Sequence, residues 1–184
     1  RVNETQVCVV CHNPNLSSSG RGALPANVTD PALIAAYGTD PLVYPEDSNN
    51  FKNLVHGIHA SAKRETPYEF VRDRGTSGVF YYDWSEVTFP GILKNCETCH
   101  LPNTYGVDLP AGVLMTTSRT TTGVPTEDRT AILGARASLP NDTDEVVNPT
   151  AAACVACHDG ILPRAHMQQN CGGFSTRIGV ESNQ

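Results

Sequence analysis

Apolar positions in this chain fall in short runs that are separated by longer polar stretches. The run at residues 30–38 predicts a short helix, because an aspartate and a proline stand at its start and Gly38 stands at its end. Short helices are also predicted at residues 149–153 and from Pro163 onward. None of the apolar runs is long enough to span a bilayer.

The longest predicted helix covers residues 51–62, with Asn49 or Asn50 near its N-cap. Two histidines in it, His56 and His59, stand three positions apart and therefore lie on one helix face, about 5–6 Å apart at Cβ. A pair at this spacing can bind two neighbouring groups, although two exposed surface histidines would give the same pattern.

Extended structure is predicted only in the middle of the chain. Residues 78–84 and 85–89 are rich in aromatic and β-branched side chains, and they predict a small β-hairpin or two extended segments. The charged residues that precede them, 63–75, are predicted to be solvated.

The longest stretch without candidate ligands covers residues 101–148 and is rich in threonine. It contains one predicted short helix, residues 127–133, with Thr126 as its N-cap. Its acidic side chains predict a solvated patch, formed by Asp142, Asp144 and Glu145. A calcium site at this patch lacks a recognised loop spacing.

The length of 184 residues suits one domain, so we expect a single unit over residues 1–184. Fifteen glycines and 13 prolines form about 15% of the chain, slightly above the usual share. The predicted fold class is therefore mostly irregular, with short helices and little sheet. A net charge of −6 disfavours nucleic acid and anionic membrane surfaces as partners.

The pentapeptide pattern Cys-x-x-Cys-His occurs three times, which is the attachment pattern of c-type haem. The two thiols bond to the haem vinyl groups, and the histidine reaches the iron as proximal ligand. Zinc sites and redox-active thiol pairs also use Cys-x-x-Cys, but neither needs a histidine after the second cysteine every time. We predict three covalent haems c, with thioether ligands Cys8, Cys11, Cys96, Cys99, Cys154 and Cys157 and proximal ligands His12, His100 and His158.

The histidine count extends this prediction to the other side of each iron. The chain has six histidines, so three remain after the proximal ligands are assigned: His56, His59 and His166. One distal histidine for each haem gives three six-coordinate, low-spin irons with no open position, which favours electron transfer over catalysis. Met115 and Met167 are rival ligands that we interpret as packing residues.

The close spacing of His56 and His59 predicts that they bind two different haems, because two imidazoles so near can hardly bind the same iron. The two haems would then be held close to contact. Gly57 between them is expected to leave room for a macrocycle to approach the backbone. At about one haem per 61 residues, the macrocycles would supply much of the apolar core.

Cys171 is the seventh cysteine, and it has no partner within the chain if the other six hold haem. Haem attachment to this motif takes place outside the cytoplasm, so an extracytoplasmic location is predicted. In an exported protein, an odd cysteine indicates either an intermolecular disulfide or a free thiol.

Four segments together resemble the outer-surface multihaem cytochromes of metal-reducing bacteria, the OmcA/MtrC type. They are residues 54–59 (LVHGIH), 89–100 (FPGILKNCETCH), 153–158 (ACVACH) and 165–170 (AHMQQN). Their order matches the first three haem sites of one pentahaem module of that family. The fourth and fifth haem motifs do not occur in these 184 residues, and Cys171 stands where the family pattern has no cysteine.

This resemblance implies that His56, His59 and His166 are distal ligands. It also implies electron transfer at the cell surface or outside the cell, to minerals, soluble acceptors or other cytochromes; a periplasmic location is the alternative. A haem-dense unit could stack into a conducting filament, joined through Cys171 or through a histidine given to a neighbour's haem. The competing hypothesis is a multihaem reductase, which needs one iron with an open sixth position.

Overall fold

The computed structural model describes residues 4–18, 23, 25–40, 43–106, 109, 112–119, 140 and 142–177. Within these ranges the helices are α1 (Thr5–Val9), α2 (Pro31–Tyr37), α3 (Phe51–Ala60), α4 (Pro149–Val155) and α5 (Ile161–Gln169). The strands are β1 (Glu69–Asp73), β2 (Val79–Asp83), β3 (Thr116–Arg119), β4 (Glu145–Val147) and β5 (Phe174–Thr176). Short elements joined by long loops confirm the predicted mixture of short helices, little sheet and much irregular chain. No helix in this part of the chain is long and apolar enough to cross a membrane.

Helix α2 forms for the reasons that its sequence indicates. The Asp30 carboxylate accepts a hydrogen bond from the Ala32 N–H at 2.9 Å, which satisfies one of the free donors of the first turn. Gly38 ends the helix with φ at +79°, a left-handed conformation that glycine adopts without strain.

Helix α3 begins at Phe51 as predicted, and its α-helical part ends at Ala60, followed by a 3-10 turn. Asn50 occupies the N-cap, but its side chain makes no capping hydrogen bond. It donates instead to the Thr116 hydroxyl at 2.6 Å. The helix buries one stripe, formed by Asn53, Gly57 and Ala60, and this stripe holds it against the rest of the fold.

A strand forms within residues 78–84 as predicted, but the predicted pairing of this strand with residues 85–89 is wrong. Strand β2 pairs antiparallel with β1, which lies within the segment predicted to be solvated. Phe70 and Val71 of β1 are buried, and Phe70 packs with the stacked rings of Tyr82 and Trp84. Burial of these apolar side chains outweighs the charge of the surrounding residues.

A second sheet, antiparallel in the order β3-β4-β5, was not predicted. Just before β4, the Asp144 side chain is fully buried and lies 3.7 Å from the Arg177 guanidinium. The prediction that Asp144 belongs to a solvated patch is therefore wrong. The helix predicted at residues 127–133 lies outside the described residues.

The described apolar core consists of two small clusters instead of one large one. The first joins α2 to the β1–β2 hairpin, and its members are Ala23, Leu33, Tyr44, Val71 and Val79. The second joins α4 to β4, and its members are Val147, Ala151, Ala152 and Val155. Many large apolar side chains near the Cys-x-x-Cys-His motifs are exposed, among them Ile161 and Leu162, each 81% exposed.

Candidate haem-binding sites

All three Cys-x-x-Cys-His motifs adopt the same backbone turn. In each, the N–H groups of the second cysteine and of the histidine donate to the carbonyl oxygen of the first cysteine. The two distances are 3.2 and 2.9 Å in the first motif, 3.1 and 2.9 Å in the second, and 3.1 and 2.8 Å in the third. Because residues three and four apart share a face of such a turn, both thiols and the imidazole can reach one macrocycle. None of the six motif cysteines forms a disulfide.

The first motif begins at Cys8, within α1, and hydrogen bonds connect it to the start of α3. The Asn49 amide donates to the Cys11 carbonyl oxygen at 2.8 Å, and its Oδ1 lies 3.1 Å from His12 Nδ1. The Phe51 N–H donates to the His12 carbonyl oxygen at 3.0 Å. The proximal histidine is thus held by both its backbone and its ring.

The third motif is tied to the end of α3 by a buried cation. The Arg64 side chain is 8% exposed and donates to the Ala156 carbonyl oxygen within the motif at 2.9 Å. Its guanidinium lies 3.2 Å from Asp47 and 3.7 Å from Asp159, the residue after the motif. The prediction that the start of segment 63–75 is solvated is therefore wrong for Arg64.

Asp159 makes a second connection between this motif and the chain after α3. Its carboxylate accepts hydrogen bonds from the backbone N–H groups of Glu65 and Thr66, at 2.9 and 2.8 Å. Within the motif, burial raises the pKa of the Cys157 thiol, and the Arg64 guanidinium opposes that rise.

A cavity of about 610 Å³ lies between α4 and α5, next to the third motif. Its walls include Cys154, His158 and His166, and the rest of the lining is mostly apolar, with Ala151, Leu162, Pro163 and Met167. The volume lies within the range of cofactor pockets. An apolar cavity with a thiol and two imidazoles in its walls fits a covalently attached porphyrin.

Helix α5, which carries His166, differs in detail from the prediction. It begins at Ile161, two residues before Pro163. His166 is an exposed residue that lines the cavity. Met167 packs against the cluster around Val147, as its interpretation as a packing residue requires.

The second motif lies in a very different environment. Every residue from 91 to 106 is exposed except His100, which is half-buried. The ring centre of His100 lies 6.0 Å from that of His56, and the two planes differ by 20°. An imidazole nitrogen lies about 2 Å from a bound metal, so two imidazoles on opposite sides of one iron have ring centres about 6 Å apart. At the observed separation, His56 and His100 would be able to hold one metal ion between them.

The histidine pair of α3 lies on one helix face, as the spacing predicts. The ring of His59 is fixed because its Nδ1 lies 2.7 Å from the Val55 carbonyl oxygen, which leaves Nε2 available as a ligand. The Nδ1 atom of His56 is buried. Burial, followed by the nearness of His100, lowers the pKa of His56, which favours the neutral form that binds metal.

Gly57 does not have the predicted role. A Cβ atom at this position would lie 2.6 Å from Tyr68 Cε2 and 3.0 Å from Arg64 Nη1. Glycine is needed here because the Tyr68 ring packs directly on the α3 backbone, on a different face from the histidines. Gly57 therefore makes room for protein and not for a macrocycle.

Cys171 lies in a tight turn at the end of α5 and is exposed. Its φ of +67° is left-handed, and the Gly172 N–H that follows donates to the Met167 carbonyl oxygen at 2.6 Å. The Asn148 side chain donates to the Cys171 carbonyl oxygen at 2.7 Å. The turn is thus anchored on both sides, and the thiol is accessible.

Sequence reasoning missed the residues that support the motifs, namely Asn49, Arg64 and Asp159. Asp159 directly follows a motif, but a single acidic residue beside a histidine is a weak signal. The described residues contain no group of three or more His, Cys, Asp or Glu side chains placed to hold a metal ion. The interpretation as an iron protein therefore depends on the haem motifs themselves.

The loop-rich fold with three attachment turns is that of a c-type cytochrome, because covalent haem needs two thiols and an adjacent histidine at this spacing. The chain belongs to the family described as outer membrane cytochrome MtrC/MtrF-like, domains II/IV, whose family model matches residues 1–184. This result confirms the resemblance found in the local motifs. Membership implies electron transfer by a c-type cytochrome at or beyond the cell surface. No curated protein and no solved structure matches the chain significantly.

Proposed function

We propose that residues 1–184 form a single trihaem unit that conducts electrons through three bis-histidine haems c. The observation that carries this proposal is the 6.0 Å separation of the His56 and His100 ring centres, at which both imidazoles would be able to hold one haem iron. A filled sixth position leaves no site for substrate, so this arrangement supports electron transfer and not reductase chemistry.

We assign two ligand pairs from contacts in the structure and the third by elimination. His56 and His100 serve the second haem. His158 and His166 line one cavity and serve the third haem. His12 and His59 remain, and by elimination they serve the first haem. Each of these two has its Nδ1 held by an acceptor, which leaves Nε2 for the iron.

Bound haem supplies an iron that gains or loses one electron without a change of ligands. The chain contributes rigid positioning: α3 carries one ligand of the first haem and one of the second, three residues apart, so a single helix sets their separation. Arg64 fixes the third motif against the end of that helix. The exposed residues 91–106 give the second haem access to an external partner. Suitable partners are another multihaem cytochrome or an extracellular acceptor such as a mineral.

The first test is a pyridine haemochrome count together with EPR spectra of the oxidised protein. Three haems per chain, all low-spin, are expected. A His56→Ala variant should convert one haem to high-spin, whereas Lys63→Met, at an exposed position that is not a ligand, should convert none. A stoichiometric high-spin signal in the unaltered protein would contradict the proposal and would favour the reductase hypothesis.

Cys171 is proposed to join two subunits through an intermolecular disulfide. One thiol forms only one disulfide, so a homopolymeric filament would need a second kind of contact between these dimers. The exposed thiol in an anchored turn supports this proposal. Analytical ultracentrifugation without reductant should show oligomers that dithiothreitol and Cys171→Ser both remove. Monomer alone at high concentration would contradict it.

A further inference from the structure

One buried amide contacts both the attachment turn and the proximal histidine of the first motif. Asn49 is 4% exposed, and it lies outside all three motifs. Its Nδ2 is 2.8 Å from the Cys11 carbonyl oxygen, and its Oδ1 is 3.1 Å from His12 Nδ1. A single side chain thus links the backbone of the motif to the ring that follows it.

The hydrogen bonds around Asn49 determine the tautomer of His12. The Cys11 carbonyl oxygen can only accept, so the amide NH₂ of Asn49 must face it. The amide oxygen then faces His12, and Nδ1 of His12 must carry the proton. Nε2 is left with a free lone pair, the state that an iron ligand needs.

Backbone hydrogen bonds hold Asn49 in this position. Its own N–H donates to the Leu16 carbonyl oxygen at 2.8 Å. On one side of Asn49, the Phe51 N–H donates to the His12 carbonyl oxygen at 3.0 Å. On the other side, the Ser18 N–H donates to the Asp47 carbonyl oxygen at 2.9 Å. Two chain segments are therefore fastened together around the amide, which leaves Asn49 little freedom to move away from the His12 ring.

We propose that Asn49 is the positioning residue of the first haem, orienting the His12 ring and setting its strength as an iron ligand. This inference rests on the proposed trihaem function. A hydrogen bond at Nδ1 raises the basicity of a ligating histidine and so stabilises the oxidised iron. Among the described residues, the His100 and His158 rings have no such side-chain partner. Changes at Asn49 should therefore affect one haem of three.

The test uses the intact holoprotein with Asn49→Asp and Asn49→Leu. The aspartate keeps the shape and the acceptor that faces His12 but loses the donor to the Cys11 carbonyl oxygen. Its negative charge beside the ring should lower the midpoint potential of one haem. The leucine removes the acceptor and should raise that potential, and it should also shift the EPR g-values of the same centre as its ring turns. Asn50→Leu is the matched control, because Asn50 is a buried neighbour whose amide donates to Thr116 and not to a histidine.

Spectroelectrochemical titration of all three haems decides the question. Shifts of opposite sign at one centre, absent from Asn50→Leu, would support the positioning role. Equal behaviour of the Asn49 and Asn50 variants would overturn it. If Asn49→Leu does not fold, the isosteric aspartate variant carries the test. A high-spin haem in the unaltered protein would count against the trihaem function instead, so the two failures are distinguishable.

Discussion

The third haem motif and the second are alike in sequence and local turn but differ in how the protein holds them. At the third motif, Asp159 is paired with Arg64, which lies just after α3. Helix α4, which leads into this motif, packs in an apolar cluster. Around the second motif, residues 91–106 are exposed apart from His100, and the backbone hydrogen bonds there are local. We therefore expect the packing of the second site to depend on bound haem more than that of the third.

Removal of covalent haem should therefore affect the two regions unequally. Cys96→Ala combined with Cys99→Ala should abolish hydrogen-exchange protection across residues 91–106, because this stretch has little else to pack on. Cys154→Ala combined with Cys157→Ala should leave α4 protected, since its apolar cluster and the Arg64 contacts remain. Hydrogen exchange followed by mass spectrometry measures both. Equal loss of protection in the two variants would contradict the comparison.

Arg64→Met should destabilise the protein by about 3–5 kcal/mol, because it leaves a buried carboxylate without its partner. Lys63→Met is the control at the neighbouring position. Lys63 is exposed, and its replacement should change stability by less than about 0.5 kcal/mol. Denaturant unfolding of the holoprotein gives both values. A small effect at Arg64 would show that the buried cation is not what holds the third motif.

Stability should also depend on pH through Asp47, whose side chain is 19% exposed. Burial raises the pKa of Asp47 from 3.8 to about 6, with Arg64 opposing the rise and Asp159 adding to it. The folded state therefore holds this proton more tightly than the unfolded state. The resulting stability is fully present below pH 3.8 and is lost as the pH rises through about 6.

The loss amounts to at most about 3 kcal/mol for a shift of this size. Asp47→Asn should flatten the dependence of unfolding free energy on pH across this range. The measurement is a series of denaturant titrations between pH 4 and pH 7 on both proteins. An unchanged slope in the variant would assign the pH dependence to another group.

The smallest predicted change in stability concerns two glycines, Gly57 in α3 and Gly106 after the second motif. Gly57→Ala should cost about 1–3 kcal/mol despite the better helix propensity of alanine, because the added methyl group meets Tyr68. Gly106→Ala should be nearly neutral, since nothing lies within 4 Å of its Cβ position. Thermal unfolding of both variants against the unaltered protein is the measurement. A neutral Gly57→Ala would mean that the Tyr68 ring can move aside.

Features that depend on neighbours along the chain were predictable. The motif turn is made by hydrogen bonds three and four residues apart, so the spacing of its residues already specifies it. Helix α2 has its cap and stop within nine positions, and α3 starts where its asparagines indicate. The placement of His56 and His59 on one face follows from helical periodicity alone.

Features that depend on distant contacts were not predictable. The aromatic strand β2 was expected to pair with residues 85–89, but it pairs with β1, where Phe70 packs against Trp84. Arg64 looks like any surface charge in the sequence, because its partners Asp47 and Asp159 lie 17 and 95 positions away. The need for glycine at position 57 was unpredictable for the same reason, since the Tyr68 ring that packs on it comes from a separate segment.

Residue identities and spacings were thus enough to recognise the haem motifs, the set of six histidines and the family. They could not say which histidine faces which motif, because that depends on how α3 lies against the rest of the chain. Folding places His56 beside His100 and puts His158 and His166 in the walls of one cavity. It also makes Asn49 and Arg64 supports of two motifs, since buried polar groups find their partners only once the chain segments have packed.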